Sequence, residues 1–197
     1  MSKRAMSQQS FFVEQIPTPT GTMLLLTDAQ ERLRALDWDD HEPRLQRLLG
    51  RHYGAGATRL LPSPRTSDGR RAIEAYFAGE LSAIEALATQ TGGTAFQREV
   101  WAALRAIPAG ETTSYGKLAS TIGRPKAVRA VGLANGANPI ALVVPCHRVI
   151  GANASLTGYG GGIERKRWLL EHEGVHLPAA RTPRPPTNAQ STFASYT

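Results

Sequence analysis

Short apolar runs separated by turn residues characterise the first part of the chain. Residues 11–13 and 23–26 have the composition of strands, and the Pro- and Thr-rich segment 17–21 between them is typical of a turn. A weaker strand is predicted at 33–38. Together these runs favour a small sheet.

Helical periodicity then alternates with loop composition. Pro43 suits the first position of a helix, and leucines follow it at helical spacing. A loop rich in Gly, Pro and Ser is predicted at 54–69, and a helix at 72–77 that ends at Gly79. No pattern in this half indicates chemistry, so aromatic residues such as Phe77 are assigned to the core.

A change of composition at 91–93, Thr-Gly-Gly, predicts a domain boundary. Thr94 is a candidate N-cap, and Gln97 completes a capping box ahead of an apolar helical stripe. We therefore expect an α+β protein. A small sheet-plus-helix domain with a connecting segment, residues 1–93, precedes a mainly helical domain, residues 94–177. Residues 178–197 are rich in Pro, Ser and Thr and are predicted to be a disordered tail.

Two helices joined by a short turn are predicted in the second domain. Ser114 is a candidate N-cap for a helix at 115–122, and Gly123 suits its end. Pro125 begins a second helix, giving a helix-turn-helix pattern, although many helical hairpins bind nothing. Small residues surround Arg129 on this helix: Ala127, Ala130, Gly132, Ala134 and Gly136. They suit either close packing against another helix or close approach to a nucleic acid groove.

Positive charge is concentrated in the second half. The 197 residues include 23 Lys and Arg against 16 Asp and Glu, a net charge of +7. Residues 1–94 carry 11 side chains of each sign, whereas residues 95–177 carry ten basic and five acidic ones. This asymmetry favours a polyanionic partner such as nucleic acid. On charge alone, a solubilising surface is the simpler interpretation.

A single cysteine, Cys146, excludes an intrachain disulfide and a multi-cysteine zinc site. No apolar run approaches the roughly 20 residues of a membrane span, and the first residues lack the apolar stretch of a secretory signal. We therefore expect a protein of the reducing cytoplasm, with no membrane association, metal or cofactor.

The surroundings of Cys146 indicate a reactive thiol rather than an inert buried one. A buried strand predicted at 142–144 leads into it, and His147 follows directly. A thiol attacks as the thiolate, so it needs a nearby base or positive charge. In an extended segment His147 would point away from the sulfur, so we expect a bridging water between them. Glu173, near the end of the last predicted helix, is the best candidate to orient the imidazole.

A glycine cluster at 158–162 surrounds Tyr159. Alone, such a cluster is typical of a flexible linker. Next to a nucleophile, its bare N–H groups can form a pocket wall for a planar ligand, with Tyr159 as an aromatic face.

These motifs together closely resemble the O6-alkylguanine-DNA alkyltransferases. The resemblance covers residues 94–175 and rests on the following positions: Phe96-Gln97, Val100-Trp101, Ser114-Tyr115, Arg129-Ala130-Val131-Gly132, Asn138-Pro139, Pro145-Cys146-His147-Arg148-Val149-Ile150, Gly158-Tyr159-Gly160-Gly161, Lys166, Leu169-Leu170 and Glu173-Gly174. The first half matches only in size and α+β character.

The resemblance implies roles for the reacting groups. Cys146 would accept the alkyl group from guanine O6, and His147 would be a water-mediated base held by Glu173. Tyr115 would contact the flipped base and a nearby phosphate and donate to the leaving base. Arg129 would intercalate where the flipped nucleotide stood, on a helix whose small residues, Ala127 and Gly132 among them, approach DNA.

The same resemblance implies a binding pocket. Asn138 would brace the turn before the acceptor, and the carbonyl of Val149, with that of Cys146, would contact the guanine amino group. Gly160 would donate its N–H to O6, Tyr159 would form a wall, and Lys166 would lie beside the site. Some relatives have serine after the tyrosine where this chain has Gly160, so the tolerance for larger alkyl groups stays open.

The expected function is single-turnover repair of O6-alkylguanine, with O4-alkylthymine as a second candidate, by a monomer whose cooperativity on DNA is left open. Some relatives hold a structural zinc in the first domain, which one cysteine cannot build. Two other classes remain open at this point. A DNA-binding regulator would recognise one undamaged sequence, and a cysteine hydrolase using Cys146 and His147 would turn over many times.

Overall fold

The computed structural model describes residues 9–177. The tail predicted to be disordered, 178–197, lies outside the described residues. Within that range no helix combines the length and apolar character needed to cross a membrane. Nor does the described range group three or more His, Cys, Asp or Glu side chains so that they could hold a metal ion.

A four-stranded sheet forms the first half, in the order β3-β2-β1-β4. Strands β1 (Gln9–Ile16), β2 (Met23–Thr27) and β3 (Leu33–Trp38) pair as antiparallel neighbours, which confirms the three predicted strands. Strand β4 (Thr58–Pro62) pairs in parallel with β1 inside the predicted loop 54–69, so that assignment was wrong. Its side chains are half-buried or exposed at a sheet edge, which leaves no alternating pattern in the sequence.

Two helices complete this half. Helix α1 (Glu42–Tyr53) places its buried leucines against one face of the sheet. Helix α2 (Asp68–Phe77) begins earlier than the predicted residue 72, because Ser67 caps it by accepting a hydrogen bond from the Arg70 N–H.

The second half is mainly helical, as expected. It contains α3 (Ala95–Arg105), α4 (Tyr115–Thr121), α5 (Val128–Gly136) and α6 (Ile163–His172). The Thr94–Gln97 capping box and the Ser114 cap are both present. Helix α5 starts three residues after the predicted Pro125, because residues 124–127 form a turn closed by the Ala127 N–H and the Arg124 carbonyl.

The segment before Cys146 is buried but is not the predicted strand. Leu142 has φ +68°, and the Val144 N–H bonds locally to the Ile140 carbonyl at 3.0 Å. Residues Cys146–Arg148 form a 3₁₀ turn rather than an extended segment. The extended segment from which His147 was expected to point away from the sulfur is therefore absent, and that expectation was wrong. The apolar run reflects burial among packed side chains rather than sheet pairing.

The two halves share one hydrophobic core, which joins residues of β3 and α2 to residues of α3, α6 and the segment before Cys146. Backbone bonds reinforce this contact. The Leu36 N–H donates to the Pro139 carbonyl at 2.9 Å, and the Ala141 N–H donates to the Leu36 carbonyl at 2.8 Å. The sheet thereby fixes the position of the chain that leads to the cysteine.

Candidate active site

Asn138 braces the turn that carries Cys146. Its amide nitrogen lies 3.1 Å from the Cys146 Sγ and donates to the Val144 carbonyl at 2.8 Å, while its Oδ1 accepts from the Ile140 N–H at 3.0 Å. Burial raises the pKa of the Cys146 thiol, and the Asn138 hydrogen bond together with the charges of Arg44 and Lys166 opposes that rise. The thiol is therefore enclosed, but its ionised form has one donor and two cations to stabilise it.

His147 and Glu173 lie in contact, as the sequence predicted. The His147 Nε2 lies 2.9 Å from Glu173 Oε1, and both side chains are fully buried. Burial alone would raise the pKa of Glu173. Hydrogen bonds from His147 and Arg148 outweigh that effect and hold the pKa well below its usual range. Burial lowers the pKa of His147. The pair is consequently a carboxylate next to a neutral imidazole.

This charge state fixes the tautomer of His147. A carboxylate can only accept, so the proton of the neutral ring lies on Nε2 and Nδ1 keeps a free lone pair. Nδ1 is buried and has no hydrogen-bond partner among the described residues. A buried acceptor of this kind suits a bridging water, which is the arrangement expected between His147 and Cys146.

Glu173 has two further donors that the sequence analysis did not identify. Arg148 donates to both carboxylate oxygens, from Nε at 2.9 Å and from its terminal nitrogen at 2.8 Å. The Tyr76 hydroxyl, from α2 in the first half, donates to Oε1 at 2.8 Å. No pattern in the first half indicated chemistry, yet one of its tyrosines bonds to the carboxylate that contacts the candidate base.

Lys166 lies beside the site and is fully buried. Its Nζ donates to the Val149 carbonyl at 2.6 Å and to the Thr157 carbonyl at 2.8 Å. Burial lowers the pKa of Lys166 to about 8, against the influence of Cys146.

The glycine cluster packs against side chains from the first half. A Cβ at Gly161 would lie 2.5 Å from the Trp38 ring, and one at Gly160 would lie 2.7 Å from the Arg44 guanidinium. The Tyr159 ring makes edge contacts with Trp38 and His147, with centroids 6.1 and 6.4 Å apart. Its buried hydroxyl has no partner among the described residues. A side chain at position 161 would collide with the Trp38 ring, and one at position 160 would require the Arg44 guanidinium to move, so the cluster is a closely packed wall.

Tyr115 is positioned by a short parallel pairing between β5 (Thr113–Ser114) and β6 (Val149–Ile150). This pairing places the start of α4 beside the residues that follow the cysteine. The Tyr115 ring lies against α5, where a Cβ at Gly132 would be 3.8 Å from it. The small residue at 132 thus allows the two helices to approach.

The surface of α5 presents Arg129 to solvent. Arg129 is exposed, Ala127 precedes the helix as its N-cap, and Leu133 one turn on is 71% exposed. In the described part of the chain, no hydrogen bond or ion pair links Arg129 to Cys146. The structure therefore links Cys146 to Asn138, His147 to Glu173 and Lys166 to Val149 by hydrogen bonds, whereas Arg129 is exposed on α5.

Comparison with known proteins identifies relatives of this chain. The family model for the DNA-binding domain of 6-O-methylguanine DNA methyltransferase matches residues 95–175. A methylated-DNA--protein-cysteine methyltransferase of Salmonella typhimurium is 53% identical over 164 residues, covering 83% of this chain and 96% of the relative. One from Mycobacterium tuberculosis is 54% identical over 137 residues, covering 69% and 82%.

A solved structure supports the fold over most of the chain. Mycobacterium tuberculosis OGT in complex with DNA matches with a TM-score of 0.68 and 44% identity, covering 84% of this chain and 93% of that one. The resemblance noted in the sequence and the α+β fold class are thereby confirmed. With these matches in sequence and fold, the chain belongs to the methylated-DNA--protein-cysteine methyltransferase family.

Proposed function

We propose that this protein repairs DNA by moving the alkyl group of O6-alkylguanine to Cys146 in a single turnover. The observation that carries the proposal is a buried thiol braced by Asn138 next to a neutral His147 that is oriented by ionised Glu173. Membership of the family and the relative solved with DNA support the same activity. Double-stranded DNA is the partner.

The proposed chemistry removes the proton of the thiol, transfers one alkyl group and neutralises the leaving base. His147 Nδ1 takes the thiol proton through a water, and the resulting thiolate of Cys146 attacks the alkyl carbon in line. The bond from that carbon to guanine O6 breaks, and its electron pair stays on the base. Tyr115 donates a hydrogen bond or proton to the leaving base, and the Gly160 N–H stabilises the charge on O6.

The product explains the single turnover. A thioether is not cleaved by water, and the proposed mechanism contains no group that regenerates the thiol. A cysteine hydrolase would instead pass through a labile thioester and release its product repeatedly.

DNA binding is assigned to α4 and α5. Ala127 at the N-cap and Gly132 within the helix add little bulk to α5, and Arg129 extends from its exposed face. The damaged base leaves the stack at a cost of a few kcal/mol, and Arg129 offsets part of that cost by filling the gap. Residues 94–177 would then carry both DNA binding and the acceptor, in a monomer located in the cytoplasm.

Intact-mass spectrometry after mixing the protein with duplex DNA containing O6-methylguanine tests the proposal. We expect a gain of one methylene at Cys146 and, with excess damaged DNA, a burst equal to the protein present. The Cys146→Ala variant should gain no mass while binding DNA normally. Sustained turnover would identify a hydrolase, and preference for one undamaged sequence without transfer would identify a regulator.

Tyr76 should influence the pH dependence of transfer. In Tyr76→Phe, Glu173 loses one donor, so its negative charge acts more strongly on His147 and raises the pKa of that imidazole. We expect the acid limb of the pH–rate profile to move to higher pH, together with a stability loss of about 1 kcal/mol. Tyr53→Phe is a matched control, because its hydroxyl contacts the Gln90 carbonyl at 3.4 Å in a separate cluster. An acid limb that does not move would mean that Tyr76 only fills space.

A further inference from the structure

Arg44 reaches from the first turn of α1 into the acceptor site. Its guanidinium pairs with the buried carboxylate of Asp37 and donates to the carbonyls of Gly136 and Asn138, at 3.2 and 3.1 Å. The side chain of Asn138 contacts the Cys146 sulfur. Asn138 therefore links the Arg44 guanidinium, through its backbone carbonyl, to the Cys146 sulfur, through its side chain.

The same guanidinium occupies the space that glycine leaves free at position 160. A Cβ at Gly160 would lie 2.7 to 2.8 Å from three of its atoms, closer than real Cβ contacts allow. The smaller residue therefore does not widen the pocket, because a cation from the other half of the protein fills the volume. The Arg44 side chain is only 19% exposed, and its partner Asp37 is fully buried.

We propose that Arg44 is a specificity-determining residue that limits the size of the alkyl group reaching Cys146. This inference rests on the proposed function, in which the Gly160 N–H contacts the O6 that carries the alkyl group. Arg44 lies next to Gly160 and bonds to the backbone carbonyl of Asn138, the residue whose side chain contacts the sulfur, so it lies between the proposed position of O6 and the residue that braces the acceptor. Its donors to Asp37, Gly136 and Asn138 hold the guanidinium in place, so a larger group cannot displace it freely.

Two variants separate the effect of the size of the residue 44 side chain from the effect of its charge. Arg44→Lys keeps a cation for Asp37 but shortens the side chain and removes the planar fork. The pair Arg44→Met with Asp37→Asn removes both charges and so avoids leaving a buried carboxylate without a partner. Arg47→Lys, an exposed residue on the same helix, is the matched control.

Transfer rates should be measured on identical duplexes that carry either O6-methylguanine or O6-benzylguanine. Since both substrates share the DNA, their ratio cancels changes in DNA binding and in folded fraction. We expect the benzyl-to-methyl rate ratio to rise roughly tenfold in Arg44→Lys, and further in the double variant, because pocket differences of one or two groups typically change rates by this order. Arg47→Lys should leave the ratio unchanged.

An unchanged ratio in folded Arg44→Lys would overturn the inference, whether or not the double variant folds. That result is distinguishable from failure of the proposed function, in which the unaltered protein would transfer neither group. A ratio that rises equally in Arg47→Lys would also overturn it, because the effect would then not come from the wall beside Gly160.

Discussion

Alkyl transfer by the Glu173→Gln and His147→Gln variants is expected to be roughly 10²–10⁴-fold slower than by the unaltered protein, the usual contribution of a general base. The reason lies in the burial of the thiol. Because burial raises the pKa of Cys146, little thiolate forms at neutral pH unless His147 accepts the proton. In Glu173→Gln the imidazole loses the carboxylate that fixes the proton on Nε2 and leaves Nδ1 as the acceptor.

The dependence of the transfer rate on pH should show that neutral His147 acts as the base. His147 is a base only while it is neutral, and burial lowers its pKa below the ordinary value of about 6.5. The rate of the unaltered protein should therefore hold constant down to below that pH and fall only as the imidazole gains a proton. In both variants the apparent pKa of Cys146 should rise, so that transfer continues to accelerate into the alkaline range.

Stability must be measured beside the rate, because Glu173 is also the partner of buried Arg148. Breaking such a buried ion pair costs about 3–5 kcal/mol, whereas His147→Gln leaves the pair in place. The matched control is Glu171→Gln, which makes the same change as Glu173→Gln on an exposed side chain two residues away. It should alter neither the transfer rate nor the stability of the protein. Unchanged profiles in both active-site variants would assign activation to another group, for which Lys166 is the nearest candidate.

The part of the site that could be predicted lies within one segment of the sequence. Cys146 and His147 are adjacent, and Glu173 follows at the end of α6, so local motif chemistry was enough to predict that His147 and Glu173 lie in contact next to the cysteine. Helix caps at Thr94 and Ser114 were predictable for the same reason, since each depends on residues within one turn.

The contribution of the first half could not be predicted from local patterns. Tyr76 is 97 positions from Glu173, and Arg44 is 94 from Asn138. Inside their own helices these residues look like a core aromatic and a surface cation. Their roles appear only when the sheet packs on the second half, because the shared core and the bonds of Leu36 bring them to the site.

The backbone conformation of two segments, residues 142–144 and β4, also could not be predicted from local patterns. The apolar run 142–144 has the composition of a strand, but its backbone turns, with Leu142 at positive φ. Strand β4 shows no alternation of apolar and polar residues. It forms a strand because it pairs with β1, some fifty residues earlier. Hydrophobicity predicts burial more reliably than it predicts the backbone conformation that achieves it.

Repair in duplex DNA should slow when Arg129 is replaced, with Arg129→Ala more affected than Arg129→Lys. The residue stands exposed on α5, and in the proposed function its long side chain enters the DNA stack. Losing it should make flipping less favourable by up to a few kcal/mol, the scale of the unstacking cost. Lysine keeps the charge but lacks the planar guanidinium that stacks between bases.

The free base O6-benzylguanine separates this role from an effect on the pocket, because it reaches Cys146 without being flipped. Both Arg129 variants should react with it almost as fast as the unaltered protein, while their rates on damaged duplex fall. Arg59→Ala, which removes an exposed cation from the edge strand β4, should leave both rates unchanged. If reaction with the free base fell in parallel with duplex repair, Arg129 would be supporting the pocket or the fold. The intercalating role would then be wrong, since filling the gap in the DNA stack has no effect on a reaction that needs no DNA.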